Sequence, residues 1–217
     1  MRVVQLVSFE VSSVAPGVSG LSQLICDGNT RQLRPDLGAL PICLIAVCPA
    51  DEPVLYLTFA STRTAEMELT GWNEEQKESF LRMQYEAQRR SYLMQIPDAE
   101  YFVIRCGDCA AGRLIVERTA NRIHIVDIAL LPEFRARKIG STLMAEIMRE
   151  ASQALKSVSL HVERFNPALR WYERLGFRVV DSGPIYLEMV WRPNSQTPEP
   201  QQPVSDSKSA GVENFEA

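Results

Sequence analysis

Residues 125–144 read IVDIALLPEFRARKIGSTLM. An apolar strand ends at Pro132, a basic turn follows, and a helix opens on the small residues Gly140 and Ser141. The first N–H groups of a helix have no partner inside it, and the helix dipole favours negative charge at that end. Such an end is a ready anion site. Arg135, Arg137 and Lys138 surround it with positive charge, and Gly140 and Ser141 leave room for close approach to the backbone. On the residues alone the stretch reads either as a site for a phosphorylated ligand or as a basic surface turn.

The flanking sequence supplies the setting. Downstream, a helix over about 139–155 carries Ile139, Leu143, Ile147 and Met148 on one side. A strand over 158–162, a helix over 167–175 and strands over 177–180 and 185–191 follow. Upstream lie strands over 100–105, 112–118 and 122–131, joined by CGDCAA and TAN, which have hairpin turn chemistry. A long helix over 73–95 is capped by Asn73 and presents Phe80, Met83, Ala87 and Tyr92 as its apolar face. Before it, a helix opens on Val54 to Phe59, with Ala65, Met67 and Leu69 extending it or forming a short turn. Residues 30–34 alternate as a first strand would. The apolar, proline-bracketed segment 36–50 fits a strand or a short helix equally. This order predicts a mixed α/β sheet, antiparallel at first, with a parallel crossing around the helix at 139–155.

The chain has 217 residues, 46% hydrophobic and 23% charged, which suits one soluble domain with a real core. We expect that domain over 29–193, with a poorly ordered leader over 1–28. The segment from Asn194 is rich in Ser, Pro, Gln and Glu, and is expected to be a disordered tail over 194–217. The net charge of −4 argues against a nucleic-acid binder, which needs a basic face. No apolar run approaches the roughly 20 residues of a membrane span. Five cysteines without a signal sequence fit a reducing cytoplasm better than a disulfide framework. Cys106 and Cys109 read as part of a hairpin turn and not as metal ligands, since zinc needs two further ligands at suitable spacing.

Residues 135–140 resemble the pyrophosphate motif Q/R-x-x-G-x-G/A of the GNAT superfamily of acyltransferases, with Arg135 first and Gly140 last. Residues 161–177, HVERFNPALRWYERLGF, are similar to that superfamily's second signature through Asn166, Ala168, Trp171, Tyr172, Gly176 and Phe177. The two motifs stand in the family's order, and the element order from about 30 to 192 agrees with it. Two departures are visible. Lys138 replaces the first loop glycine, at a cost on the order of 1 kcal/mol if the backbone there is left-handed. Asn166 stands two residues before Ala168, where the family more often has three.

The resemblance implies a mostly antiparallel sheet with a splayed parallel pair at its centre and acetyl-CoA as co-substrate, with no metal. It implies that Arg135, Ala136, Arg137, Lys138, Ile139, Gly140 and Ser141 hold the pyrophosphate. Ala129, Leu130 and Leu131 would offer backbone groups to the thioester and pantetheine, and Asn166 would hold the pantetheine arm. Tyr172 matches the tyrosine that protonates the leaving thiolate, a task suited to a phenol with a pKa near 10. His124 falls where some members carry a catalytic glutamate, and imidazole suits proton abstraction from an ammonium. Asp127 and Glu163 are further candidates, although strict alternation puts Asp127 on the face opposite His124. The expected reaction is acetyl transfer to a primary amine of a small molecule or protein, and a homodimer is compatible with it. The alternative is a coenzyme A-binding module without catalysis. Transfer of a longer acyl group is a third, weaker reading.

Overall fold

One mixed sheet organises the chain. The structure is a computed structural model that describes residues 30–32 and 41–193; the expected leader and tail lie outside the described residues. The strands are β1 (Thr30–Gln32), β2 (Ile42–Ala46), β3 (Glu100–Cys106), β4 (Cys109–Arg118), β5 (Arg122–Leu130), β6 (Ser157–Glu163), β7 (Arg178–Ser182) and β8 (Tyr186–Trp191). They lie side by side in the order β1-β2-β3-β4-β5-β6-β8-β7. Every neighbouring pair is antiparallel except β5 and β6, which are parallel. The apolar segment after Pro41 is therefore a strand at Ile42–Ala46, paired to β3 and β1.

The helices are α1 (Glu52–Ser61), α2 (Thr64–Glu68), α3 (Glu74–Gln95), α4 (Ile139–Gln153) and α5 (Leu169–Arg174). α4 makes the crossover between β5 and β6, because parallel neighbours cannot be joined by a tight turn. Its buried residues Ile139, Leu143, Met144, Ile147 and Ala151 pack in the main core with Ile123, Ile125, Ile128 and Leu130 of β5 and with Tyr172 of α5. On the other face, Tyr92 of α3 packs against Ile115 and Val126, and Tyr56 and Phe59 of α1 pack against Tyr85 of α3.

α3 starts as expected. Asn73 Oδ1 accepts from the Gln76 amide at 2.9 Å, and Gln76 Oε1 accepts from the Asn73 amide at 3.0 Å, a reciprocal capping box. Its buried face is Leu81, Tyr85, Gln88 and Tyr92. The expected face is out of phase with this one: Met83 is 55% exposed and Ala87 is exposed. Only Tyr92 belongs to both sets, because spacing at 81, 85, 88 and 92 follows the helical period more closely.

Candidate active site

The parallel pairing of β5 with β6 runs from Arg122↔Ser157 to Ile125↔Leu160 and then stops. β5 continues to Leu130 and β6 to Glu163, so the strands part and leave backbone groups facing an opening. At the same point β5 carries a bulge: Val116 pairs with Ile125, but Ile115 pairs with Asp127. Val126 is the extra residue, and a bulge re-aims the side chains beyond it.

The bulge corrects one expectation. Beyond it Ile128 and Leu130 join Ile123 and Ile125 in the α4-side core, whereas Asp127 turns to the α1–α3 side, the same side as His124. There Asp127 forms an ion pair of 2.5 Å with Arg113, with side-chain exposures of 2% and 7%. Arg113 also donates to Gln88 Oε1 at 3.0 Å, and its Cζ lies 5.8 Å from the Phe59 ring centroid. Burial pushes the Asp127 carboxyl up from its ordinary range, against the pull of Arg113. A carboxylate so matched to a guanidinium is poorly suited to take a proton from a ligand.

The two histidines in the chain meet at this point. His124 Nδ1 lies 2.9 Å from Ser159 Oγ, and its ring stands edge-on to His161, centroids 5.3 Å apart. His124 is buried, whereas His161 is half-buried and is the first β6 residue beyond the last parallel pair. Sequence reasoning misses His161 as a site residue. Its signal is present all the same: it is the other histidine, on the strand expected beside that of His124. Glu163, two residues on, shares its face; burial raises its pKa first, and the charge of Glu66 adds to that.

Tyr172 enters from α5, and its placement follows from a helix stop. The Phe177 amide donates to the Tyr172 carbonyl at 3.1 Å, and the Gly176 amide to the Glu173 carbonyl at 3.0 Å. This is a Schellman motif, with Gly176 at φ +93 in the left-handed position that favours glycine. The accompanying apolar contact is the Tyr172–Phe177 ring pair at 5.7 Å. The Tyr172 side chain is 0% exposed, and its hydroxyl has no hydrogen-bond partner among the described residues. Burial, followed by the nearby charge of Asp127, holds its pKa well above the ordinary phenol value.

The anion loop lies at the far end of the opening. Lys138 is the N-cap of α4, with φ +61, and Ala136 has φ +57. The Thr142 amide donates back to the Lys138 carbonyl at 2.9 Å, while the amides of residues 136–141 make no backbone hydrogen bond among the described residues. Successive amides in such alternating conformations form a concave nest for an anion. Arg137 and Lys138 are exposed beside it. Arg135 is placed differently: its guanidinium turns inward, donating from Nε to the Leu130 carbonyl at 2.9 Å and from Nη2 to the Ser61 carbonyl at 3.2 Å.

Other expected backbone groups are partly occupied. The Leu131 amide donates to the Ala111 carbonyl at 2.9 Å. Alternation along the strand then turns the Leu130 amide to the opposite edge, toward the opening. Ala129 presses its carbonyl against Gly112, where a Cβ would come within 2.1 Å of that oxygen. Asn166 is buried, and its Oδ1 accepts from the Ala168 amide at 2.8 Å, shaping the start of α5.

The family model for GNAT acetyltransferases matches residues 63–177, more than half of the chain. Among solved structures, the chain is similar to the PaiA N-acetyltransferase of Thermoplasma acidophilum, in complex with coenzyme A. The identity is 23%, over 70% of this chain and 98% of that one, with a TM-score of 0.51. It is likewise similar to an acetyltransferase from Thermus thermophilus, at 21% identity over 70% and 96% of the two chains, with a TM-score of 0.51. At these identities the structural likeness speaks to the fold. No curated protein matches the chain in sequence.

Proposed function

Because this chain belongs to the GNAT acetyltransferase family, we propose that it moves the acetyl group of acetyl-CoA directly to a primary amine, in a reducing cytoplasm, using residues 29–193 as its catalytic unit. The observation that carries this reading is the opening between β5 and β6 with the unpaired loop amides beyond the end of β5; the buried Tyr172 phenol belongs to the core that α4 and β5 share.

The amides of Ala136, Arg137, Lys138, Ile139, Gly140 and Ser141 would take the pyrophosphate, helped by the positive end of α4 and by the Arg137 and Lys138 charges. Arg135 serves by pinning the loop to β5 and α1. Asn166 serves by shaping the entry to α5. The pantetheine arm would follow the free edge of β5 past Ala129 and Leu131, and the Leu130 amide would polarise the acetyl carbonyl. The amine nitrogen attacks the carbonyl carbon; the C–N bond forms and the C–S bond breaks. His161, backed by His124 and Ser159, takes one proton from the ammonium to free its lone pair, and the second proton leaves the nitrogen for water as the intermediate collapses. The leaving sulfur takes the phenolic proton of Tyr172, which water then restores. A phenol held well above its ordinary pKa stays protonated throughout the neutral range, as a proton donor must.

The test is thiol release from acetyl-CoA across a panel of primary amines. Turnover that requires both acetyl-CoA and an amine supports the reading. Tight coenzyme A binding with no turnover on any amine would favour the second reading, a binding module without catalysis. That reading draws on the left-handed Ala136 and Lys138, each costing about 1–2 kcal/mol relative to glycine.

A further inference from the structure

Arg63 lies between α1 and α2, on the same side of the sheet as His161 and Glu163. Its side chain is 14% exposed, and its Cζ lies 4.7 Å from the Phe59 ring centroid. Burial lowers its pKa, and the charged and phenolic groups around it are Glu66, Glu163, Arg113 and Tyr186. They come from α2, β6, β4 and β8, and the Phe59 ring that Arg63 covers is the one that Arg113, the partner of Asp127, also faces at 5.8 Å, which sets Arg63 beside the Arg113–Asp127 pair. Asp127 of β5 also feels its charge.

A guanidinium this desolvated ordinarily places its five N–H donors on carboxylates or carbonyls. Arg63 does not. Its Nε is buried with no hydrogen-bond partner among the described residues. Its ion pair is a 3.6 Å contact from Nη1 to Glu66, whose side chain is 57% exposed, a loose and solvent-screened arrangement. Arg113 also leaves its Nε without a partner among the described residues, but its Nη2 is held by the buried carboxylate of Asp127 and by Gln88. Arg63 has only the loose contact to an exposed glutamate. Beside Arg63 stands the half-buried Glu163, whose strand partner is Tyr186. The site thus offers one under-satisfied cation next to a carboxylate.

We propose that Arg63 is the carboxylate anchor of the acceptor site, so that the amine acetylated here is a small zwitterion of the amino-acid type, its carboxylate forked on Arg63 and its ammonium turned toward His161 and Glu163. This rests on the acetyl-transfer reading above and names its substrate class. A planar monoanion matches a single guanidinium fork. A phosphate dianion would meet Glu66 and Glu163 with Arg113 already matched to Asp127. The amino terminus of a protein would bring an ammonium but no carboxylate at the right distance.

The experiment compares the standard L-amino acids with their carboxamides as acceptors for the full chain and acetyl-CoA, with coenzyme A calorimetry run alongside. At least one acid should exceed its carboxamide by about tenfold or more in kcat/KM. In Arg63→Met that ratio should collapse to within about threefold of unity, and Arg63→Lys should restore part of it. Carboxamides that match the acids, a ratio that persists in Arg63→Met, or turnover confined to amines such as spermidine would each overturn the proposal while leaving acetyl transfer standing. Coenzyme A that fails to bind would instead sink the acetyl-transfer reading. Titration of the protein with the amino acids, followed through guanidinium resonances by NMR, covers the case in which nothing turns over. A shift in the wild-type protein that is lost in Arg63→Met upholds the anchor, and no shift overturns it. If Arg63→Met fails to fold, Arg63→Lys carries the kinetic readout: a ratio of acid to carboxamide lowered from the wild-type value upholds the anchor, and an unchanged ratio overturns it.

Discussion

Replacing Tyr172 by Phe separates what this side chain does for the fold from what it does for the chemistry. The ring is 0% exposed and packs on Trp171 and Phe177 at 4.9 and 5.7 Å, and phenylalanine keeps those contacts. The hydroxyl has no hydrogen-bond partner among the described residues. Burying an unsatisfied hydroxyl costs about 1–3 kcal/mol, so its deletion should stabilise the protein by roughly 1 kcal/mol. That corresponds to a rise in Tm of about 2–4 °C for a domain of this size. Turnover should move the other way, because loss of a positioned proton donor costs about 10²–10⁴-fold in kcat, with coenzyme A affinity retained. The assays are thermal melting, thiol release and calorimetry on the same preparations. A fall in Tm of a few degrees with unchanged turnover would refute the reasoning, because that is how a hydroxyl with a structural hydrogen bond behaves.

Lys138→Gly removes a side chain from a left-handed residue at φ +61, so it should raise stability by about 1 kcal/mol; a lower Tm would contradict the strain. Gly176→Ala places a Cβ at φ +93 and 3.3 Å from Trp191. It should cost about 1–2 kcal/mol and lower kcat by disturbing the turn that sets Tyr172, so a silent variant would count against that turn. Asp127→Asn leaves Arg113 buried without its counter-charge and should destabilise by about 3–5 kcal/mol in denaturant unfolding. A loss under about 1 kcal/mol, the range of an exposed pair, would show that the pair is not closed to solvent. Tyr56 and Tyr85 are both pushed up to about 12, and Tyr172 is also raised well above its ordinary value. Their folded-state values exceed the unfolded value near 10, so their contribution is complete below about pH 10 and is lost as pH rises past it. Tm should hold through neutrality and fall above about pH 10, less steeply in Tyr172→Phe; equal slopes would contradict the assignment.

The parts of this molecule that sequence reading recovers are those written in local chemistry. The cap at Asn73, the turn of CGDCAA and the unpaired start of α4 each depend on residues a few positions apart. The order of strands and the parallel pair follow from them. What escapes such a reading depends on partners distant in the chain. Val126 is a bulge only because β4 and β5 slip by one residue between Val116 and Ile115, and that slip puts Asp127 beside Arg113. Arg135 looks like a loop cation until its guanidinium finds Ser61, on a helix that sequence alone does not dock. Arg63 carries no motif; its meaning comes from the ends of β6 and β8 arriving beside it. The α3 face is hard to read because Gln88, a polar residue, is buried to hold Arg113.

The central claim is that the amides of residues 136–141 and the opening between β5 and β6 receive a coenzyme A thioester. Isothermal calorimetry of the purified chain with acetyl-CoA and with free coenzyme A tests it most directly. The account predicts binding in the micromolar range, roughly −8 kcal/mol, weakening as salt screens the pyrophosphate from Arg137, Lys138 and the end of α4. No binding of either ligand at millimolar concentration would contradict it.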